Sequence, residues 1–227
     1  MVSPLRIAAS GCLLRIVRGK ITVVFALAAL GCSAQQQWEI GAAGGYGFYR
    51  NASVNAPAGT AQAGIQNSFA FSIYTDQHMY EHFSGELRYT FQNGDPFVKS
   101  GGVKTIIQGQ SHAVDYELLV HMRRREARIR PFLAGGGGAK WYVTSGPATP
   151  FQPLGGIAVL ANRNSTKPLI TAGGGVSIAF PPHVRVRLEF RDYITPFPKQ
   201  VIVPTRFANA RGLLNMFTPL LGVGVAF

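Results

Sequence analysis

The chain has 227 residues, a formal net charge of +12 and two cysteines, Cys12 and Cys32. Both cysteines fall within the first 34 residues, which excludes a disulfide-stapled domain, a cysteine metal site and a thiol enzyme from the remainder. Beyond that leader no apolar run reaches 18 residues, so a helical membrane protein is excluded too.

Residues 1–20 carry Arg6, Arg15, Arg18 and Lys20 and no acid, and Ile21–Leu30 is apolar before Gly31-Cys32-Ser33-Ala34. A basic region, a short apolar region and small residues read as a secretory signal peptide over 1–34, leaving 35–227 as one exported domain. Cleavage after Ala34 suits a signal peptidase. Ala29-Leu30-Gly31-Cys32 also resembles a lipobox, in which Cys32 carries lipid. Losing the leader takes four basic residues from the net charge of +12 and leaves +8.

After Gln37 the hydrophobic period is two. Phe83, Gly85, Leu87, Tyr89 and Phe91 alternate with His82, Ser84, Glu86, Arg88, Thr90 and Gln92. Val184, Val186, Leu188 and Phe190 alternate with Arg185, Arg187, Glu189 and Arg191. The pattern predicts eight strands, at 37–49, 65–74, 82–92, 112–122, 128–142, 168–180, 183–194 and 214–227. Most have the length that a tilted membrane strand needs, about 9–11 residues plus an overhang. Connections alternate between long (50–64, 93–111, 143–167, 195–213) and short (75–81, 123–127, 181–182). Long loops on one rim and short turns on the other predict an outer-membrane barrel with the short turns in the periplasm. The final segment places Leu221, Val223, Val225 and Phe227 on one face, the form of a signal read by the outer-membrane insertion machinery.

A soluble, lipocalin-like binding barrel alternates as well, with its apolar face inside. Three features favour the inverse. Glu39, Glu86, Asp115, Glu117 and Glu189 balance Arg88, Lys140, Arg185, Arg187 and Arg191, as a buried lumen requires. Gly135–Gly138 and Gly173–Gly175 relieve crowding inside. Aromatics cluster near strand ends, with Trp38, Tyr74, Tyr80, Phe180 and Phe227 at the short-turn rim and Tyr49, Phe91, Trp141, Tyr193 and Phe217 at the other. The fold class expected is an all-β, eight-stranded, antiparallel up-and-down transmembrane barrel.

The leader, Tyr46–Asn51, Arg128–Gly137, Arg187–Tyr193 and Phe227 together resemble small bacterial outer-membrane β-barrel proteins, in kind the eight-stranded transmembrane domain of outer-membrane protein A. No periplasmic domain follows Phe227, so the resemblance does not imply cell-wall attachment. It implies a fold and an address, and no activity.

Chemistry in the sequence is sparse. Ser111 and His112 are adjacent, and neighbours in a strand face opposite ways. His78 and His82 straddle a turn and are too few for a metal site. The glycine runs lack the Gly-Lys-Ser/Thr of a phosphate loop. An exported chain without a basic helix does not suit nucleic acid. No enzyme, cofactor or metal is expected. Arg50, Lys99, Lys104, Arg163, Lys167, Lys199, Arg206 and Arg211 fall on or beside the long loops with almost no acid but Asp95, where they would meet lipopolysaccharide or other anionic surface groups. Arg123-Arg124-Arg125 falls at a short turn. The expectation is a monomeric barrel with a structural or surface-interaction role and a lumen closed by its ionic network. A narrow pore for ions or very small solutes is the first alternative.

Overall fold

The structure, a computed structural model, describes residues 38–146, 152–205, 208–210 and 212–227. The leader, with Cys12 and Cys32, and both Arg206 and Arg211 lie outside the described residues. Strands follow in the order β1 (Trp38–Arg50), β2 (Ala52–Ala56), β3 (Gly59–Ile65), β4 (Ser68–His78), β5 (Phe83–Asn93), β6 (Pro96–Ser100), β7 (Val103–Ile106), β8 (Gly109–His121), β9 (Ile129–Thr144), β10 (Ala158–Leu160), β11 (Ser165–Phe180), β12 (Val184–Pro196), β13 (Ile202–Pro204), β14 (Asn209–Ala210) and β15 (Leu213–Ala226).

Eight of them close a barrel in the order β1-β15-β12-β11-β9-β8-β5-β4, every pair antiparallel. The seam joins the first strand to the last. Trp38 N–H donates to the Phe227 carbonyl at 3.1 Å and Phe227 N–H to that of Trp38 at 2.8 Å. Closure removes the exposed sheet edge, as a backbone in lipid requires.

The alternation has the inverse sense of a lipocalin. Ile40, Leu87, Leu188 and Leu221 are 49–57% exposed, whereas Glu39, Glu86, Arg88 and Arg187 are at most 1% exposed. An apolar band of that extent is a lipid-facing surface, since a soluble protein rarely shows one to water.

Inward glycines let so narrow a sheet curve. A Cβ on Gly136 or Gly138 would run into the β8 backbone, at 2.7 Å from the Glu117 Cα and 2.6 Å from the Asp115 Cα. At Gly173 it would meet the Phe190 carbonyl and, at 2.8 Å, the Arg191 side chain, which lies across that space.

Two differences from the sequence expectation matter. The second barrel strand is not 65–74 but continues to His78. Asp76 and His78 resemble turn residues, yet they keep the inward phase of Ser72 and Tyr74 in a polar lumen. The long connections are also folded. β14, β2, β3, β6 and β7 form a second sheet, and β10 pairs with β13. The β6–β7 hairpin turns on Gly101 and Gly102, at φ +54° and +83°, the left-handed pair that a two-residue hairpin demands.

The second sheet carries an apolar core that continues into the barrel. Val54, Ala61, Ile65 and Val98 from the sheet, with Ile157, Leu160 and Ile202 beside β10 and β13, pack with Tyr49, Leu214 and Met216 at the long-loop end of the lumen.

Candidate functional site

The barrel interior holds all ten charges read from the sequence, each at most 5% exposed, and adds Asp76 and Arg130. Among the described residues the buried charges number six acids and six bases, so the interior is formally neutral. Strand parity puts them there: one inward side chain every second residue, from strands whose other face meets lipid.

Arg187 is the hub. Its Nη1 donates to Glu86 Oε2 at 2.6 Å and its Nη2 to Asp76 Oδ2 at 2.7 Å, while its Nε lies 2.8 Å from Glu39 Oε1. Tyr74 sits beneath the guanidinium, 4.4 Å from ring centre to Cζ, and donates its hydroxyl to Glu39 at 3.2 Å. Arg88 forms a second fork, donating to Glu86 at 2.8 Å, to Glu189 at 2.6 Å and to Ser72 at 3.0 Å. Arg191 lies 3.0 Å from Glu117 and 3.4 Å from Glu189, and Arg185 lies 3.6 Å from Glu39. β5 and β12 are four places apart in either direction around the eight-strand ring, so the Glu86–Arg187 and Arg88–Glu189 contacts cross its full width.

Two of the ten stand apart. Asp115 and Lys140 have no ion pair among the described residues. Lys140 donates to the Tyr49 hydroxyl at 2.8 Å and to Met216 Sδ at 3.2 Å, and its ammonium lies 5.0–5.8 Å from the ring centres of Tyr49, Tyr142 and Tyr193. It is held by an aromatic cage under the apolar core rather than by a carboxylate.

That cage corrects the aromatic assignment. Tyr49, Tyr74 and Tyr193 are at most 8% exposed and point inward, because each shares the parity of the charged face. Trp38, Tyr80, Phe180 and Phe227 at the short-turn rim and Trp141 at the other are exposed, with Phe91 and Phe217 half-buried on the outside.

At the short-turn end, Ser84 Oγ and His121 Nε2 are 2.8 Å apart, and His78 Nδ1 lies 3.6 Å from Asp76 Oδ1. His78 therefore meets Asp76 and His121, not His82, which instead approaches the His121 carbonyl at 2.8 Å. Ser111 is buried and His112 is half-buried beside Tyr89 and Phe91, so that neighbouring pair is split between the two faces. Within the Arg123–Arg125 turn, Arg124 approaches Glu81 at 3.5 Å and Arg125 donates to the His78 carbonyl at 3.3 Å.

At the long-loop end Arg50, Lys99, Lys104, Arg163 and Lys199 are exposed. Lys99 and Lys104 are register partners across β6 and β7, and Lys104 Nζ lies 4.9 Å from the Phe97 ring centre. Asp95, the acid of these loops, accepts from Gly109 N–H at 3.0 Å. Lys167 belongs to β11, not to a loop, and is half-buried opposite Lys140.

No protein-family model and no curated protein matches the chain. Solved structures do. Neisserial surface protein A superposes with a TM-score of 0.51 at 13% identity, over 84% of this chain and 97% of that one. The outer membrane protein OprG from Pseudomonas aeruginosa gives 0.53 at 10% identity, over 85% and 97%. Outer membrane protein AlkL, solved in DMPC lipid bilayers, gives 0.50 at 9% identity, over 86% and 93%. The fold is that of the small outer-membrane barrels. With its lipid-facing exterior, that fold assigns the chain to the bacterial outer membrane.

Proposed function

We propose that the chain is a closed, monomeric outer-membrane barrel whose folded outer sheet holds the anionic groups of lipopolysaccharide. The observation that carries this reading is the Lys99–Lys104 pair. Like charges directly opposite one another destabilise a hairpin, and among the described residues neither has an acidic partner. A bridging phosphate reverses that penalty. Arg50, Arg163 and Lys199 add to the same field, each cation near an anionic membrane contributing about 1 kcal/mol. The test compares lipid A with its dephosphorylated form as ligands for the barrel in nanodiscs. Lys99→Gln with Lys104→Gln should weaken binding of the phosphorylated form by roughly 30-fold, from about 2 kcal/mol lost. Equal affinity of the double variant and the parent would sink the idea.

Closure is supported by the cross-lumen ion pairs and by the apolar core above Lys140. A narrow pore is the competing reading, and planar-bilayer recordings separate the two. The closed barrel gives no unitary current, whereas steady conductance that changes in Arg187→Ala establishes the pore. Leu221, Val223, Val225 and Phe227 form an exposed row at the seam, suited to the insertion machinery. Phe227→Ala should then slow folding into vesicles that contain the machinery and leave folding into detergent unchanged. Native mass measurement in nanodiscs checks the monomer. No catalytic step belongs to this reading: His121 Nδ1 has no orienting acid bonded to it, and deacylase activity of the purified barrel would contradict it.

A further inference from the structure

At the short-turn end of the lumen lies a group of three side chains of which the ionic network engages only Asp76, through one of its two oxygens. Asp76 and His78 on β4 and His121 on β8 are 0%, 5% and 3% exposed, and each offers a ligand atom within 4.8 Å of the others. Asp76 Oδ1, both ring nitrogens of His78 and Nδ1 of His121 have no hydrogen-bond partner. A buried polar atom left without a partner is costly and calls for an explanation.

We infer that these three residues form a binding site for a divalent transition metal of the zinc type. Two imidazoles and one carboxylate are the donor set of open, borderline-soft metal sites with a position left for water. The surroundings match what such ligands need. The second oxygen of Asp76 accepts from Arg187 at 2.7 Å, and the second nitrogen of His121 meets Ser84 Oγ at 2.8 Å. Outer contacts of this kind orient a ligating carboxylate or imidazole and leave its other atom for the metal. Ser84 lies on β5, between β4 and β8 in the ring, so one ion would tie three adjacent strands. Arg130 and Arg185 stand at the same end. Arg130 donates to the Glu81 carbonyl at 3.2 Å, and Arg185 lies 3.6 Å from Glu39. Their charge opposes any dication, and it is the donor set, two imidazoles with only one carboxylate, that suits a hard, oxygen-seeking ion such as magnesium poorly and a zinc-type ion well.

The test uses the full chain without a histidine tag, folded in detergent micelles and stripped of metal. Cobalt(II) serves as an absorbing probe and zinc(II) as its competitor, with heat-modifiable gel migration confirming that every variant is folded. One cobalt should bind per barrel, with visible absorption of low-coordinate nitrogen and oxygen ligation, and zinc should displace it. His78→Ala and His121→Gln should each weaken binding on the order of 100-fold, and Ser84→Ala, a positioning change, by about 10-fold. His121→Gln keeps a polar partner for Ser84 and guards against a loss that is merely a folding defect. His112→Ala and His183→Ala should bind as the parent does. Absence of stoichiometric cobalt binding overturns the inference, as does binding that survives in His78→Ala and His121→Gln.

Discussion

Replacing Arg187 with methionine removes the hub of the lumen and leaves its shape nearly unchanged. Two charge-assisted hydrogen bonds disappear, to Glu86 at 2.6 Å and Asp76 at 2.7 Å, together with the 2.8 Å approach to Glu39. The interior passes from six acids against six bases to an unbalanced negative charge among side chains at most 5% exposed. Hydrogen bonds to charged groups contribute about 1.5–3 kcal/mol each, and breaking a buried pair costs about 3–5 kcal/mol. A loss of about 4 kcal/mol is expected. With a urea slope of about 2 kcal/mol per molar, the unfolding midpoint in lipid vesicles should fall by about 2 M. Intrinsic fluorescence of Trp38 and Trp141 in a urea titration reads it directly. Adding Glu86→Gln restores neutrality, so the double variant should regain a substantial part of the loss. A single-variant cost below about 1 kcal/mol, the size of a solvated surface pair, would refute the reasoning and mean that water fills the lumen.

Lys140→Met should behave quite differently. Lys140 has no carboxylate within ion-pair distance, so although the change also leaves the interior one acid in excess, a side chain of similar volume among Tyr49, Tyr142 and Met216 should cost clearly less than the Arg187 change in the same titration. A paired glycine experiment tests the curvature argument. Gly136→Ala drives a Cβ into the Tyr116 carbonyl and should cost at least about 1–3 kcal/mol or abolish heat-modifiable migration. Gly135→Ala, whose Cβ would meet nothing nearer than the Thr171 carbonyl at 3.9 Å, should migrate and unfold like the parent. Equal effects at the two positions would show that the glycine phase is irrelevant.

What the sequence disclosed follows from parity. A membrane strand exposes one side chain in two to lipid, so Leu188 and Phe190 against Arg187 and Glu189 announce both the strand and its inner face. The same rule, applied strictly, would have turned Tyr49, Tyr74 and Tyr193 inward, since Tyr49 is out of phase with Trp38, Ile40 and Phe48. Asp76 and His78 were hidden for another reason. Polar residues near a short connection read as turn, and only the ladder Asp76↔Glu86 and His78↔Ser84 shows that pairing continues. The partnership of His78 with His121 is a matter of strand order, which spacing along the chain does not encode. The outer sheet had one local signal, Gly101-Gly102 between Ser100 and Val103, a hairpin turn inside a segment read as loop. Its core was harder to see, because Val54, Ala61, Ile65 and Val98 are scattered among small and polar residues and gain meaning only when β3 pairs with β6.

The crossing of the lumen by Glu86–Arg187 and Asp76–Arg187 has a kinetic side. The partners are 101 and 111 residues apart and sit on walls that face each other only when the ring is nearly complete. A half-formed sheet carrying β4 and β5 alone holds Asp76, Glu86 and Arg88 without the bases and acid of β12, and in a bilayer that state is heavily penalised. Assembly should therefore be concerted, with few stable halfway forms. The last hairpin does more than add strands: it neutralises the first.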